Sequence, residues 1–362
     1  MGARGIAAAA ALVLVVAVLA ASGASAPRPF LVGVTDDAQV LGRPGKTFPL
    51  LESLHVQVLR INLPWFAIAP RRPHDPRDPA DRAYDWGGYD RVVREAAQHQ
   101  IALLLTISGA PRWASGYATP NHAPRRAEDL QAFAYAAAKR YPSVHRWLAW
   151  NEPNNPVFLR PQYRRVGGRW VIQSAIDYAR ICAAVYRGVH ETGIEGEQVA
   201  CGATDPNGND RPNSSRPSVS PLVFLRALKD AGLEHFDVYA HHPYPYRPWQ
   251  PPSARPQNSS VSLGNIDRLL DELSELYGDK HLWLTEFGYQ TKPPDRRAGV
   301  SWQRQAAYLR QAYTLARANP RIDLLVWFLV RDEPRAKGWA SGFLTASGKK
   351  KPSFDAFREI AR

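Results

Sequence analysis

Three observations place this 362-residue sequence in the α/β class, as a single (β/α)8, or TIM, barrel. Short apolar runs alternate with amphipathic segments from about residue 30 to the C-terminus, the pattern of βα units on a parallel sheet. Eight such runs can be counted, enough for one closed barrel. The longest Pro-rich stretches, Ala69 to Tyr84, Asp205 to Pro221 and Pro243 to Ser262, each follow a run and precede a helical segment. In a barrel those are the loops of the C-terminal face.

The first segment, residues 1–26, reads as a secretory signal peptide. Arg4 precedes an apolar run from Ile6 to Ala20, and the segment closes on Ala24-Ser25-Ala26. A retained N-terminal anchor is the alternative. Pro27 leaves the cleavage position open, and no later stretch has the roughly 20 apolar residues of a membrane span. Residues 27–362 then form one domain, expected outside the cytoplasm. Its predicted strands are Phe30 to Val34, Val56 to Asn62, Ile101 to Ile107, Trp147 to Asn151, Gln198 to Ala203, Phe236 to His241, Leu282 to Glu286 and Leu324 to Leu329. The helices between them carry apolar faces at three-four spacing. Leu130, Phe133, Ala137 and Tyr141 form one, and Trp302, Ala306, Leu309, Tyr313 and Ala316 another.

The net charge of +13 is compatible with attraction to an acidic polymer, such as an anionic glycan or cell surface. The arginines, however, are spread over loops, with no aromatic-basic nucleic-acid motif, so a solvated basic surface is the stronger reading and no nucleic-acid partner is expected. The two cysteines, Cys182 in a helical pattern and Cys201 in a strand pattern, fit either a disulfide or two buried thiols.

The chemistry is carried by two glutamates. Trp147-Leu148-Ala149-Trp150-Asn151-Glu152-Pro153 runs from the fourth strand into a Pro-terminated turn, and Leu282-Trp283-Leu284-Thr285-Glu286-Phe287-Gly288 repeats the arrangement on the seventh. Both carboxyls therefore leave strand ends at one barrel mouth. Glycoside hydrolysis needs such a pair, one to protonate the departing oxygen and one to attack the anomeric carbon or activate water. A buried strand glutamate without such a role costs several kcal/mol unless paired.

Asn151-Glu152-Pro153 and Thr285-Glu286-Phe287-Gly288, in that order, resemble clan A of the glycoside hydrolases, the retaining (β/α)8 enzymes, and families 5 and 39 most of all. The resemblance implies that Glu152 is the general acid/base and Glu286 the nucleophile. It implies that Arg60 holds Glu286 charged, that Asn151 bonds a sugar 2-hydroxyl, and that Tyr244, in His241-His242-Pro243-Tyr244, donates to the nucleophile. His242 is expected to bond substrate or a neighbouring carboxylate, and Trp327 to form the platform beneath the sugar. Trp113 is a further candidate subsite, with Trp65, Trp249 and Trp339 as other tryptophans near strand ends or loops. No metal or organic cofactor is implied, and one of the two histidines is expected to be structural. The third strand's mouth, Ser108-Gly109-Ala110-Pro111-Arg112-Trp113, lacks the histidine common in family 5 and is closer to family 39.

The expected function is a secreted retaining hydrolase of β-linked poly- or oligosaccharide. Long mouth loops favour endo action. An exo-acting β-xylosidase-like enzyme, a non-catalytic glycan-binding barrel and a transglycosylase are the alternatives.

Overall fold

The computed structural model describes residues 29–334 and 338–362. The signal segment lies outside the described residues. The strands are β1 (Leu31–Thr35), β2 (Val58–Pro64), β3 (Ala102–Ser108), β4 (Arg146–Ala149), β5 (Arg164–Val166), β6 (Arg169–Val171), β7 (Gln198–Thr204), β8 (Val238–His241), β9 (Leu282–Phe287) and β10 (Ile322–Phe328). Eight of them close a parallel barrel in the order β1-β10-β9-β8-β7-β4-β3-β2, while β5 and β6 form a separate antiparallel pair. The helices are α1 (Asp37–Gly42), α2 (Pro44–Ser53), α3 (Trp65–Ile68), α4 (Gly87–Gln98), α5 (Arg112–Ser115), α6 (Ala127–Arg140), α7 (Gln173–His190), α8 (Pro221–Asp230), α9 (Asp267–Tyr277), α10 (Trp302–Arg317) and α11 (Pro352–Ile360). Among the described residues no helix is long and apolar enough to cross a membrane.

All eight predicted strands are present, most within one or two residues of their predicted ends. Two differences have local causes. β4 stops at Ala149 rather than Asn151, because Trp150 and Glu152 take φ of 67° and 38°, which a strand cannot accommodate. The β5–β6 hairpin was not foreseen. Its signal is Gly167-Gly168, both at positive φ, between two short β-branched-bearing runs, the chemistry of a two-residue hairpin turn.

Strand alternation sorts the core into two layers. Val58, Leu104, Leu148, Ala200, Val238, Trp283, Leu324 and Val326 fill the barrel interior. Leu59, Ile61, Leu105, Trp147, Val199, Leu284, Leu325 and Trp327 face the helices. Toward the C-terminal face the interior positions turn polar: Arg60 follows Val58, Thr106 follows Leu104, and His242 follows Ala240. A disulfide joins Cys182 of α7 to Cys201 of β7, with Cα atoms 5.9 Å apart, fastening that helix to the strand that follows it.

Candidate active site

Arg60 is the floor of the site. It is 1% exposed, and its guanidinium makes four hydrogen bonds. Nε donates to Thr106 Oγ1 at 3.1 Å, Nη1 to the Thr285 carbonyl at 3.0 Å and to Glu286 Oε2 at 2.8 Å, and Nη2 to Asn151 Oδ1 at 2.6 Å. One buried cation thus gathers β2, β3, β9 and the turn after β4.

Glu286 reaches the barrel axis through a bulge. Trp283 points inward, so plain alternation would turn Thr285 inward and Glu286 outward. The β9–β10 register steps from Leu284↔Leu325 to Phe287↔Trp327, three residues against two, and the extra residue lets both Thr285 and Glu286 face the mouth. Glu286 receives a second hydrogen bond from the Tyr244 hydroxyl, at 2.9 Å on Oε1. Burial and the negative charge of Glu286 hold the Tyr244 phenol protonated, its pKa raised well above the ordinary value.

Glu152 sits differently. It is 8% exposed. Its backbone N–H donates to Ala203 O at 3.0 Å, which fixes the turn despite the positive φ. Its Oε1 shares a 2.9 Å hydrogen bond with His242 Nδ1, and His242 Nε2 shares one of 3.0 Å with Thr285 Oγ1. Burial, reinforced by the negative charges of Asp205 and Glu286, raises the Glu152 pKa well above the usual carboxylate range, against the opposing pull of Arg60. Burial, with Arg60 and His241 nearby, depresses His242, so the imidazole is neutral beside the acid. Carboxylate oxygens of Glu152 and Glu286 lie within 4.8 Å of each other. For comparison, the two carboxyl groups of retaining glycosidases stand about 5–5.5 Å apart and those of inverting ones ~6.5–9.5 Å.

Glu152, His242 and Glu286 are close enough for a common ion. The Arg60 guanidinium against Glu286 opposes a cation there, and His242 Nε2 is held by Thr285.

Glu152, Asn151, Tyr244 and Glu286 line one open cleft of about 760 Å³ at the barrel mouth, with Arg60 beneath. Two expectations are corrected, and a third, for His242, is narrowed to one of its alternatives. Trp327 is 0% exposed and does not reach the cleft. It follows inward-facing Val326 on β10 and so turns toward the helices, stacking on Phe343 and donating Nε1–H to Ser341 O at 2.9 Å. Phe328, one residue on, takes the cleft wall and meets Trp339 edge-on at 5.5 Å between ring centroids. Trp113 is also absent from the cleft: it packs against Trp65 under the Arg72 guanidinium, with its N–H on Ala69 O. His242 is fully buried, so it bonds the neighbouring carboxylate and not a substrate. Its neighbour His241 is structural, held between Thr204 Oγ1 and Val261 O, with burial pushing its pKa down to about 4. Of the remaining tryptophans, Trp339 lines the cleft, Trp65 is core, and Trp249 lies outside the cleft lining.

Sequence reasoning missed Asp205, which follows β7 directly and lines the cleft. The rule that found both glutamates, a carboxylate at the C-terminal end of a barrel strand, points to it as well. Asn155 Nδ2 bridges it to the acid, donating to Asp205 Oδ2 at 2.8 Å and lying 3.5 Å from Glu152 Oε2.

The barrel is similar to solved glycosidase structures. A family 39 glycoside hydrolase from the gut symbiont Bacteroides cellulosilyticus WH2 shares 21% identity and a TM-score of 0.65 over 92% of this chain. The chain spans about 64% of that protein's length. A family 1 β-glucosidase from Thermotoga maritima shares 14% identity, with a TM-score of 0.63 over 93% of this chain and 97% of its own. An endo-β-1,4-glucanase from Xanthomonas axonopodis pv. citri shares 15% identity, with a TM-score of 0.60 over 92% and 99%. At these identities the likeness establishes the (β/α)8 fold. No curated protein matches the chain in sequence. Residues 130–362, which include the turn bearing Glu152 and every later strand, match the model of DUF5722, described as a family of unknown function, and the chain belongs to that family.

Proposed function

We propose that this chain is a retaining β-glycosidase, with Glu152 as general acid/base and Glu286 as nucleophile. One observation carries the reading: two carboxyls within 4.8 Å are held in opposite environments. Glu152 is buried against a neutral imidazole and two other carboxyls, which favours its protonated form. Glu286 accepts from a guanidinium and a phenol, contacts made to an ionised carboxylate.

In the first half-reaction the Glu152 proton passes to the departing glycosidic oxygen while a Glu286 oxygen attacks the anomeric carbon, breaking the glycosidic bond and forming a glycosyl ester. In the second, the Glu152 carboxylate takes a proton from water, whose oxygen displaces Glu286 and restores both groups. Asn151 Oδ1 is fixed by Arg60, so its amide N–H₂ is presented to the cleft, where it can donate to a sugar hydroxyl as charge develops. Phe328 and Trp339 supply the apolar surface on which a sugar face stacks.

The open cleft supports endo action on a chain. A product profile of monosaccharide alone at the earliest times would rule that out. Export is supported by the Cys182–Cys201 disulfide, a bond that persists in oxidising compartments. The catalytic assignment is tested with aryl β-glycosides and a glycan panel. Glu286→Ala is expected to abolish turnover. Glu152→Ala is expected to spare substrates with good leaving groups and to respond to azide. Full activity of either variant on a natural glycan would overturn the assignment.

A further inference from the structure

The loop from β4 to α7 concentrates positive charge beside the cleft. Between Glu152 and Asp177 the chain carries Arg160, Arg164, Arg165 and Arg169 and no acidic residue. The last three ride on the β5–β6 hairpin, where Arg165 pairs with Trp170 and lies over its ring at 5.1 Å, leaving the indole 39% exposed. The hairpin follows Tyr163 in the chain, and Tyr163 lines a cavity of about 400 Å³ with Tyr117, His122, Arg160 and Arg216, in which the Tyr117 and His122 rings stack 3.8 Å apart. Arg160 spends only Nε on the protein, donating to Pro156 O. The salt bridges among the described residues include none of Arg160, Arg164, Arg165, Arg169 and Arg216.

This cavity neighbours the central cleft across a third hollow. Pro156 and Arg216 also border that hollow, whose other walls include Asn155, Asp205 and Asn207 of the cleft itself. The charge changes sign along that path. Among the described residues the cleft is lined by Glu152, Asp205 and Glu286 and by no lysine or arginine. An acidic sugar at the cleavage point would face three carboxyls, whereas one bound along the flank would face unpaired guanidinium groups and aromatic faces.

We propose that the Arg160–Arg216 cavity and the arginine hairpin form a distal subsite for an anionic substituent, carboxylate or sulfate, on a glycan whose scissile sugar is uncharged. The proposal deepens the glycosidase reading and rests on it for the scissile sugar.

The test uses the full chain carrying Glu286→Gln, so that binding is measured without turnover. The probes are glucuronic-acid-substituted xylan and a partly sulfated β-1,4-glucan, each beside its carboxyl-reduced or desulfated counterpart. At least one charged member should bind tenfold or more tightly than its neutral counterpart at low salt, with the advantage shrinking as salt rises. Whether a carboxylate or a sulfate pair discriminates identifies the group. Arg160→Ala/Arg216→Ala should remove most of that advantage, and Arg164→Ala/Arg165→Ala/Arg169→Ala, confined to the exposed hairpin, should reduce it. Turnover of a neutral aryl β-glycoside by the otherwise wild-type chain should be unchanged by either set. Equal binding of both members in every pair would overturn the proposal, as would an advantage indifferent to both arginine sets. Loss of aryl-glycoside turnover in the unsubstituted chain, with the anionic preference intact, would count against the catalytic reading while supporting the flank as a binding site.

Discussion

Trp327 and Phe328 are adjacent, aromatic and at the same strand end, yet the fold gives them opposite duties, so exchanging each for alanine separates stability from activity. Trp327 is fully buried between barrel and helices, and its N–H is satisfied by Ser341 O. Truncating a buried tryptophan costs about 3–5 kcal/mol, and the stranded carbonyl adds to that. For a domain of this size the unfolding entropy is roughly 0.7 kcal/mol per kelvin, so Trp327→Ala should lower Tm by about 4–7 °C. Trp327→Phe, which keeps most of the buried area, should lose less. Phe328 is half-buried on the cleft wall against Trp339. Its removal should cost little stability but forfeit stacking worth about 0.5–1.5 kcal/mol, a two- to tenfold drop in kcat/KM. Thermal unfolding and aryl-glycoside kinetics on both variants decide the matter. A larger kinetic loss for a well-folded Trp327 variant than for Phe328→Ala would refute the assignment of strand faces.

Tyr244→Phe removes a hydrogen bond to the Glu286 carboxylate, worth about 1.5–3 kcal/mol when one partner is charged, and should lower kcat/KM by about ten- to 150-fold with the fold intact by circular dichroism. Asp205→Asn deletes a negative charge that raises the Glu152 pKa. The acid must be protonated to act, and activity is lost as pH rises through its pKa, so the basic limb of the kcat/KM profile should move to lower pH; an unmoved limb would remove Asp205 from that role. Replacing Cys182 and Cys201 by serine opens a cross-link of sequence separation 19 and should cost about 3 kcal/mol in denaturant unfolding, an effect that a reducing agent should reproduce on the parent chain. Asp36 is buried with its pKa raised to about 6, so its contribution to stability is fully present below about pH 4 and is lost as pH rises toward about 6; unfolding midpoints of wild type and Asp36→Asn across that window should converge at low pH and part above it.

The barrel was legible because its period is written repeatedly: eight apolar runs, each with a helical partner, tolerate an error of a residue or two at any one end. The carboxyl pair was legible because strand ends at a barrel mouth are few and a glutamate there is costly without a task. Parity was not. Trp327 and Phe328 differ by one residue, and a one-residue slip reverses the face, so only the positions of Leu324 and Val326 inside the barrel decide between them. Nor does sequence show that Glu286 gains its direction from a bulge, since a bulge is a property of the pair of strands and not of either alone. Trp113 shows the remaining difficulty. A tryptophan near a strand end can stack on a sugar or on its own neighbours, and Trp65 and Arg72, distant in sequence, settle the outcome.

Arg60 touches β3, β9 and the turn after β4 from beneath, without entering the space where a substrate would lie. The placement of Glu286 and Asn151 is therefore set largely by the barrel's own frame and by the first residues beyond its strand ends. The outer parts of the loops are free to lengthen, exchange charge or acquire a hairpin such as β5–β6 while the chemistry below stays in register. Within this family, divergence in substrate is expected to concentrate in the outer parts of the loops after β4, β7 and β8, beyond Glu152, Asp205 and Tyr244, and graft experiments that swap only those outer segments between members should transfer preference while leaving turnover of a minimal aryl glycoside in place.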